Sequence, residues 1–194
     1  VPVLFLDTDF EENSQQDREI SFYLYGGNER YRLKQEAILG FGGVRMLDAL
    51  GFKIRKYHMN EGHSSLLAVE LTRKNGMDME KVRELCVFTT HTPVESGHDK
   101  FSYDLIREVL EPVDLSSIKK CGGEDRLNMT CLALNLSNYV NGVAKRHQEI
   151  SSKMFTGYNI HAVTNGVHSY TWTGEEFRKL FDKYLRGWAI EPEL

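Results

Sequence analysis

Four short apolar runs, each bounded by polar or turn-forming residues, predict β-strands. They are "VPVLFLD" at the start of the sequence, the strand that follows a turn in "GFKIRKYHMN" and ends at Asn60, Leu85 to Thr90, and "NIHAVTNGV" ending at Val167. The longer segments between these runs have apolar residues at spacings of three and four, which predicts helices. Strands that alternate with helices favour an α/β fold with a parallel sheet and flanking helices.

The helical patterns differ in length and in how clearly they end. One runs from Tyr31 to Leu50 and contains "GFGG", whose glycines predict a helix break or the close approach of another backbone. A second is "SSLLAVELTRK". The longest, from Met129 to Ile150, predicts a single helix with an unbroken apolar stripe. Thr173 and Glu176 form a capping-box pattern, which predicts the start of a helix over "EEFRKLFDKYL".

The composition narrows the class of protein. The 194 residues are 41% hydrophobic and 27% charged, with a formal charge of -4, as in ordinary globular proteins. No basic run indicates nucleic-acid binding, and no apolar run approaches the roughly 20 residues of a membrane helix. Cys86, Cys121 and Cys131 lack CxxC spacing and predict reduced thiols in a cytoplasmic protein. The first residue is not methionine, which favours a piece of something longer.

Polar segments containing histidine follow three of the predicted strands. They are Asn60 to His63, His91 to His98, and Asn165 to His168, and each contains a glycine that lets backbone approach a ligand. Because the carboxyl ends of parallel strands lie along one edge of a sheet, the three segments are expected to converge. Neutral or switchable donors and acceptors, together with the carboxylate of Glu61, suit a hydroxyl-rich ligand. The sequence therefore predicts a sugar-binding site at this edge.

Other interpretations of these residues stay open. His63, His91 and Asn165 are also typical of caps and turns. His58 is predicted to hydrogen-bond within or beside the sheet, and His147 to be a core histidine on an apolar helix face. Imidazole and carboxylate groups also bind zinc, although "HMNEGH" is not the HExxH signature. The ligands of such a zinc site, in a small hydrolase, would be His58, Glu61, His63 and His91.

Five motifs, in this order, resemble those of the α-glucan phosphorylases, particularly the short form of bacteria and archaea. They are "RLKQE", "HMNEGHSSLLAVEL", "FTTHTPVESGHDKF", "VNGVAKRHQEI" and "VTNGVHSYTW". The resemblance spans almost the whole chain. It implies a GT-B architecture, in which two Rossmann-like domains face each other across a cleft. Residues 1–194 resemble the latter part of the amino-terminal domain, as a single partial domain.

The resemblance also implies a reaction and a cofactor. Phosphate attacks the terminal glucosyl unit of an α-1,4-glucan or maltodextrin and releases glucose 1-phosphate with retention. Pyridoxal phosphate takes part through its phosphate group. No motif in this chain matches the cofactor lysine or the phosphate-binding residues of the family, which belong to the carboxyl-terminal domain. We therefore expect a fragment that is inactive without that domain.

The same resemblance implies roles for individual residues. Asn60, Glu61 and His63 belong to the active-site loop, and Glu61 stands where larger members have aspartate. His91 contacts the reacting sugar, with its backbone carbonyl facing the anomeric carbon. Asn165 hydrogen-bonds a sugar hydroxyl. Glu61 and His91 are the predicted catalytic residues, since a carboxylate and a fixed carbonyl dipole stabilise the positive charge of an oxocarbenium-like transition state.

A different class of function is the alternative. The chain would then be a non-catalytic carbohydrate-binding module or subunit that retains the sugar-binding face. In either case we expect no nucleic acid or membrane partner. We also expect self-association through the face that the other domain would cover.

Overall fold

The chain forms two compact units, Val1–Val163 and Thr164–Leu194. The computed structural model describes residues 2–24, 26–76, 78–110 and 112–191. None of the helices in these ranges is both long enough and apolar enough to cross a membrane.

A four-stranded parallel sheet in the first unit confirms the predicted α/β fold. The strands of the described residues are β1 (Tyr57–Asn60), β2 (Cys86–Thr90), β3 (Lys100–Ser102), β4 (Arg126–Asn128), β5 (Tyr139–Gly142) and β6 (His161–Ala162). The parallel sheet has the order β1-β2-β5-β6. Strands β3 and β4 form a separate antiparallel pair.

Helices occupy most of the chain between the strands. Those of the described residues are α1 (Gln15–Arg18), α2 (Glu29–Ala37), α3 (Gly43–Ala49), α4 (Leu66–Asn75), α5 (Met79–Leu85), α6 (Tyr103–Val109), α7 (Leu115–Gly122), α8 (Met129–Asn135), α9 (Lys145–Met154), α10 (Ser169–Trp172) and α11 (Glu175–Tyr184). Short 3₁₀ turns at Glu19–Ser21, Gly62–Ser64 and Glu95–Gly97 add to them.

Strand β2 lies at the centre of the core. It pairs with β1 on one side and β5 on the other, and the adjacent residues Phe88 and Thr89, whose side chains point to opposite faces, are both buried. Burial on both faces is typical of a parallel sheet covered by helices. The three cysteines form no disulfide, as predicted, and burial raises the pKa of the Cys86 thiol to about 12.

The glycines of "GFGG" allow two backbones to meet. A π-helical turn at Ile38–Gly42 joins α2 to α3, so the predicted helix continues through the glycines with a local irregularity. A Cβ atom on Gly40 would lie 2.7 Å from Leu66 Cβ and 2.8 Å from Leu67 N. Glycine is therefore required here by the contact with the start of α4, which confirms the predicted close approach.

The predicted strand at "VPVLFLD" is wrong. Residues 2–10 form no helix or strand, and Val3 and Phe5 are 74% and 89% exposed. The segment is held locally instead; Ser21 Oγ donates a hydrogen bond of 2.9 Å to Asp7 Oδ1. An apolar run becomes a strand only where a neighbouring strand pairs with its backbone N–H and C=O groups. The pattern of apolar residues does not show whether such a neighbour is present.

The predicted continuous helix from Met129 to Ile150 is also wrong. Two helices, α8 and α9, flank β5, which is an inner strand of the sheet. Asn138 N donates to Cys86 O at 3.1 Å, where the chain enters the sheet. β5 is only four residues long, and Val140 continues the apolar spacing of the helices on either side, so helical spacing alone did not separate the three elements.

The second unit consists of α10 and α11 with a small aromatic cluster. The Trp188 ring lies 5.2 Å from that of Phe181 and 6.0 Å from that of Tyr170. The helix over "EEFRKLFDKYL" is present, but the predicted capping box is wrong. Gly174 is the N-cap residue of α11, and the Thr173 hydroxyl donates to Ser169 O, at the end of α10.

Candidate functional site

Two neighbouring strands bring the predicted loop residues together. Asn60 at the end of β1 pairs with Thr89 of β2, and Glu61 N donates to Thr89 O at 2.9 Å. Glu61 and His91 follow the two strands directly. The sheet therefore places them side by side at the carboxyl edge, where open α/β sheets bind ligands.

The Glu61 carboxylate ties the two strand ends to each other. Its Oε1 atom accepts hydrogen bonds from Thr90 Oγ1 at 3.2 Å and from the backbone N–H of His91. Its Oε2 atom accepts from Gly62 N at 3.3 Å. Although Glu61 is only 7% exposed, these donors satisfy its carboxylate. The contact anchors the backbone at His91, while Asn60 and His91 are themselves exposed.

The backbone of Glu61 is strained. With φ at 64° and ψ at 171°, it occupies a region that is used almost entirely by glycine and costs about 1–3 kcal/mol. Glu61 is the only residue other than glycine with a positive φ among the residues that the structure describes. The three hydrogen bonds to the side chain hold this conformation. Strain of this kind clusters at functional sites, which makes Glu61 a candidate functional residue.

The glycines of the three loops have different surroundings. A Cβ atom on Gly62 would lie 3.0 Å from Thr130 Oγ1 and 3.1 Å from Thr130 N. Gly62 therefore allows close contact with the start of α8, and a Cβ atom on Gly97 would meet the Thr92 side chain. Gly166 has open space around it. Each of the three glycines was predicted to let backbone approach a ligand. Gly62 and Gly97 instead contact neighbouring residues of the chain, and Gly166 has space beside its Cα atom for a ligand.

His63 is directed to a second polar cluster. Its Nδ1 atom lies 2.7 Å from Arg32 Nη2 and 3.4 Å from Asp99 Oδ2. Arg32 and Asp99 are joined by contacts of 3.1 and 3.2 Å. His63, Arg32 and Asp99 line a cavity of about 570 Å³, together with residues 26–29, 96–98, 100, 101 and 126. Arg32 and Asp99 had no role assigned from the sequence, because they approach His63 only through the fold.

A buried carboxyl group completes this cluster. Glu36 is 1% exposed, and burial, together with the neighbouring charge of Asp99, raises its pKa to about 9. Burial alone would raise the pKa of Asp99 as well, but the contacts around its carboxylate, with the Arg32 guanidinium among them, hold that pKa well below its usual range. Glu36 is therefore neutral at pH 7, and Arg32 forms its ion pair with Asp99.

A line of hydrogen bonds crosses three strands below the site. Thr89 Oγ1 donates to Asn141 Oδ1 at 2.9 Å and accepts from His58 Nε2 at 2.7 Å. His58 therefore bonds within the sheet, as predicted. His147 is 8% exposed with Nδ1 3.4 Å from Ser151 Oγ, so the prediction of a core histidine is confirmed. Asn141 was missed because its segment had been assigned to a helix.

Asn165 belongs to the second unit. The strand predicted over "NIHAVTNGV" is shorter than predicted: β6 consists of His161 and Ala162. Asn165 lies three residues further on, in an exposed segment before α10. Its convergence with Glu61 and His91 stays a prediction.

The predicted zinc ligands are not gathered by the fold. His58 Nε2 is bonded to Thr89, Glu61 binds backbone and hydroxyl donors, and His63 faces Arg32. In the part of the chain that the structure describes, the acidic, thiol and imidazole side chains close enough to share an ion are Glu36, His63 and Asp99. Arg32 supplies the positive charge within that group.

Comparison with known proteins reveals relatives over nearly the whole chain. It is 37% identical to the maltodextrin phosphorylase of Thermococcus litoralis over all of its length, and 36% identical to the glycogen phosphorylase of Aquifex aeolicus over 93%. The glycogen phosphorylase of Mycobacterium tuberculosis is 34% identical over 93%. The chain spans only 26%, 30% and 25% of these three proteins, respectively. No protein-family model matches.

Proposed function

Because this chain is related in sequence to the glycogen and maltodextrin phosphorylases, we propose that it is part of the amino-terminal domain of a glucan phosphorylase with GT-B architecture. The complete enzyme transfers the terminal glucosyl unit of an α-1,4-glucan to phosphate. Residues 1–194 supply one side of the cleft, and a carboxyl-terminal domain supplies the other. This assignment requires both parts for activity.

The observation that supports the proposal most is the link between Glu61 and His91. A buried carboxylate in a strained backbone conformation anchors the residue whose carbonyl is proposed to face the anomeric carbon. Such pre-organisation matters for a glycosyl transfer, because positive charge develops at that carbon in the transition state. A dipole and a carboxylate that are already in place require no reorganisation during the reaction.

The remaining residues of the proposed site bind and orient the sugar. Asn60, His63 and Asn165 offer amide and imidazole groups to hydroxyls, and holding the ring in one orientation lowers the entropic part of the barrier. Glu61 needs to form no covalent bond to the sugar. Its proposed role is electrostatic, beside the backbone of His91.

Pyridoxal phosphate does not fit the residues at this edge. Asn60, Glu61 and His91 offer no amine to hold its aldehyde, and a buried carboxylate is a poor neighbour for its phosphate. We therefore derive no step of the reaction through these residues and the cofactor. We propose that it binds to the carboxyl-terminal domain. The unbridged cysteines support a cytoplasmic location.

Titration of the chain with maltoheptaose, followed by two-dimensional NMR, tests the sugar site. We expect the backbone signals of Asn60, Glu61 and His91 to shift, and His91→Ala to weaken binding at least tenfold. Glu80→Ala is the control, since this exposed residue lies on α5, before β2 begins. If the chain binds no maltoheptaose at millimolar concentrations of the sugar, the proposal of a sugar-binding site is wrong.

Phosphorolysis tests the reaction itself. The chain is assayed with maltoheptaose, phosphate and pyridoxal phosphate, alone and mixed with a separately expressed carboxyl-terminal domain. Glucose 1-phosphate formed only in the mixture would support the proposal. Sugar binding without activity in the mixture would favour a carbohydrate-binding module instead.

A further inference from the structure

The contact between Arg32 and His63 determines which nitrogen of the imidazole carries the proton. Arg32 Nη2 and His63 Nδ1 are 2.7 Å apart. A guanidinium group has donors and no acceptor, so the nitrogen that it contacts must accept. A neutral His63 with an accepting Nδ1 atom carries its proton on Nε2.

The opposite arrangement conflicts with the same distances. A proton on Nδ1 could donate to Asp99 Oδ2 at 3.4 Å, which is longer than an ordinary N–H···O bond. It would also face the Arg32 N–H group across 2.7 Å, with two donors opposed. The Arg32 contact therefore overrides the pull of Asp99 on the ring.

Arg32 is held rigidly enough to impose this choice. Its side chain is 15% exposed and extends from α2, where Glu36 Oε1 lies 3.1 Å from Arg32 Nε one helical turn away. Asp99 Oδ2 binds the guanidinium from the loop before β3 at 3.1 and 3.2 Å. Neutral Glu36 leaves Asp99 as the counter-ion of Arg32, so the cluster has no surplus buried charge.

We infer that Arg32 is a positioning residue for His63. It fixes the imidazole as the Nε2-protonated tautomer, the form in which His63 takes part in the proposed sugar site. The part of this inference that concerns sugar rests on the proposed function. The tautomer is argued from the distances among Arg32, His63 and Asp99 and does not require a bound sugar.

Long-range ¹H–¹⁵N NMR of the histidine rings tests the tautomer in the 194-residue chain at pH 8. We expect the His63 signal, assigned with His63→Gln, to show a proton on Nε2. In Arg32→Met the opposing donor is gone, so the proton is expected to move to Nδ1 and to bond Asp99. Arg107→Met, which removes an exposed arginine paired with Asp104 on α6, should leave His63 unchanged.

Several outcomes would overturn the inference. A wild-type ring with its proton on Nδ1, or an Arg32→Met ring identical to that of the wild type, would each do so. If Arg32→Met does not fold, Asp99→Asn decides: Arg32 remains there, so Nε2 should keep the proton, and a shift to Nδ1 would contradict the role of Arg32.

Maltoheptaose binding by the same samples separates this inference from the proposed function. We expect Arg32→Met to bind about tenfold more weakly than the wild type and Arg107→Met to bind equally well. Binding by no form, the wild type included, would overturn the proposed sugar site. The tautomer measurement would still decide whether Arg32 positions His63.

Discussion

Two glutamates of this chain are buried in different ways. Glu61 and Glu36 are 7% and 1% exposed, so burial alone does not distinguish them. Glu61 accepts hydrogen bonds from two backbone N–H groups and one hydroxyl. Glu36 lies beside Asp99, and its pKa is raised to about 9. The two side chains therefore differ in the hydrogen-bond donors and charges around them rather than in their depth.

The largest effect is expected from removing the Glu61 carboxylate. Glu61→Ala leaves the His91 N–H group and the Thr90 hydroxyl without their acceptor and keeps the backbone strain. We expect a loss of about 3 kcal/mol in the free energy of unfolding, measured by urea denaturation. Glu61→Gly also lacks the carboxylate but relieves the strain, so it should be about 1 kcal/mol more stable than the alanine variant.

This pair of variants isolates the role of the backbone. Equal stability of Glu61→Gly and Glu61→Ala would show that the positive φ of Glu61 carries no strain. The Glu61→Gly variant should still lose sugar binding, because the acceptor that anchors His91 is absent.

A smaller effect is expected at Glu36, and it depends on pH. The folded state holds a proton that the unfolded chain releases above pH 4.5, because the folded pKa is about 9. The wild type should therefore lose stability as the pH rises from about 5 to 9. Glu36→Gln mimics the protonated acid and should be more stable than the wild type by roughly 2 kcal/mol at pH 8.

Urea denaturation at several pH values checks this prediction. The difference between wild type and Glu36→Gln should grow from pH 5 to pH 9. Parallel curves over that range would mean that Glu36 does not hold its proton in the folded state, and the proposed effect of its burial would be lost.

The smallest effect is expected beneath the site, at Thr89. Thr89→Val has nearly the same shape but removes the donor to Asn141 and the acceptor for His58. We expect a loss of about 1 kcal/mol in the free energy of unfolding. Thr72→Val is the control, since the Thr72 hydroxyl donates to Ala68 O within its own helix, α4. If Thr72→Val lowers the free energy of unfolding more than Thr89→Val does, the hydrogen bonds of Thr89 to His58 and Asn141 do not support Glu61.

The sequence was sufficient to predict those elements whose formation depends on the local pattern of apolar and polar residues. The apolar run at Leu85 to Thr90 predicts β2, and helical spacing predicts α4. Strand β1 forms the last four residues of the segment in which it was predicted. The sequence pattern failed at "VPVLFLD" and at β5, because strand formation depends on a neighbour that is distant in sequence.

The candidate site shows the same limit. Asn60, Glu61 and His91 were predicted as neighbours, because parallel strands end at one edge. The strain of Glu61 and the approach of Arg32 and Asp99 to His63 were not predictable, since they arise from tertiary packing; Arg32 is 31 positions from His63 and 67 from Asp99.

The order of the strands also affects how the chain folds as it is synthesised. β1 and β2 can pair early, but Val87 must wait for Tyr139, which is its partner in β5. At about 5–20 residues per second, the second edge of β2 stays unpaired for roughly 3–10 seconds on the ribosome. An apolar strand with an open edge can pair with other chains. The nascent protein is thus most vulnerable to aggregation before β5 emerges, and slower translation of residues 88–138 would prolong that period.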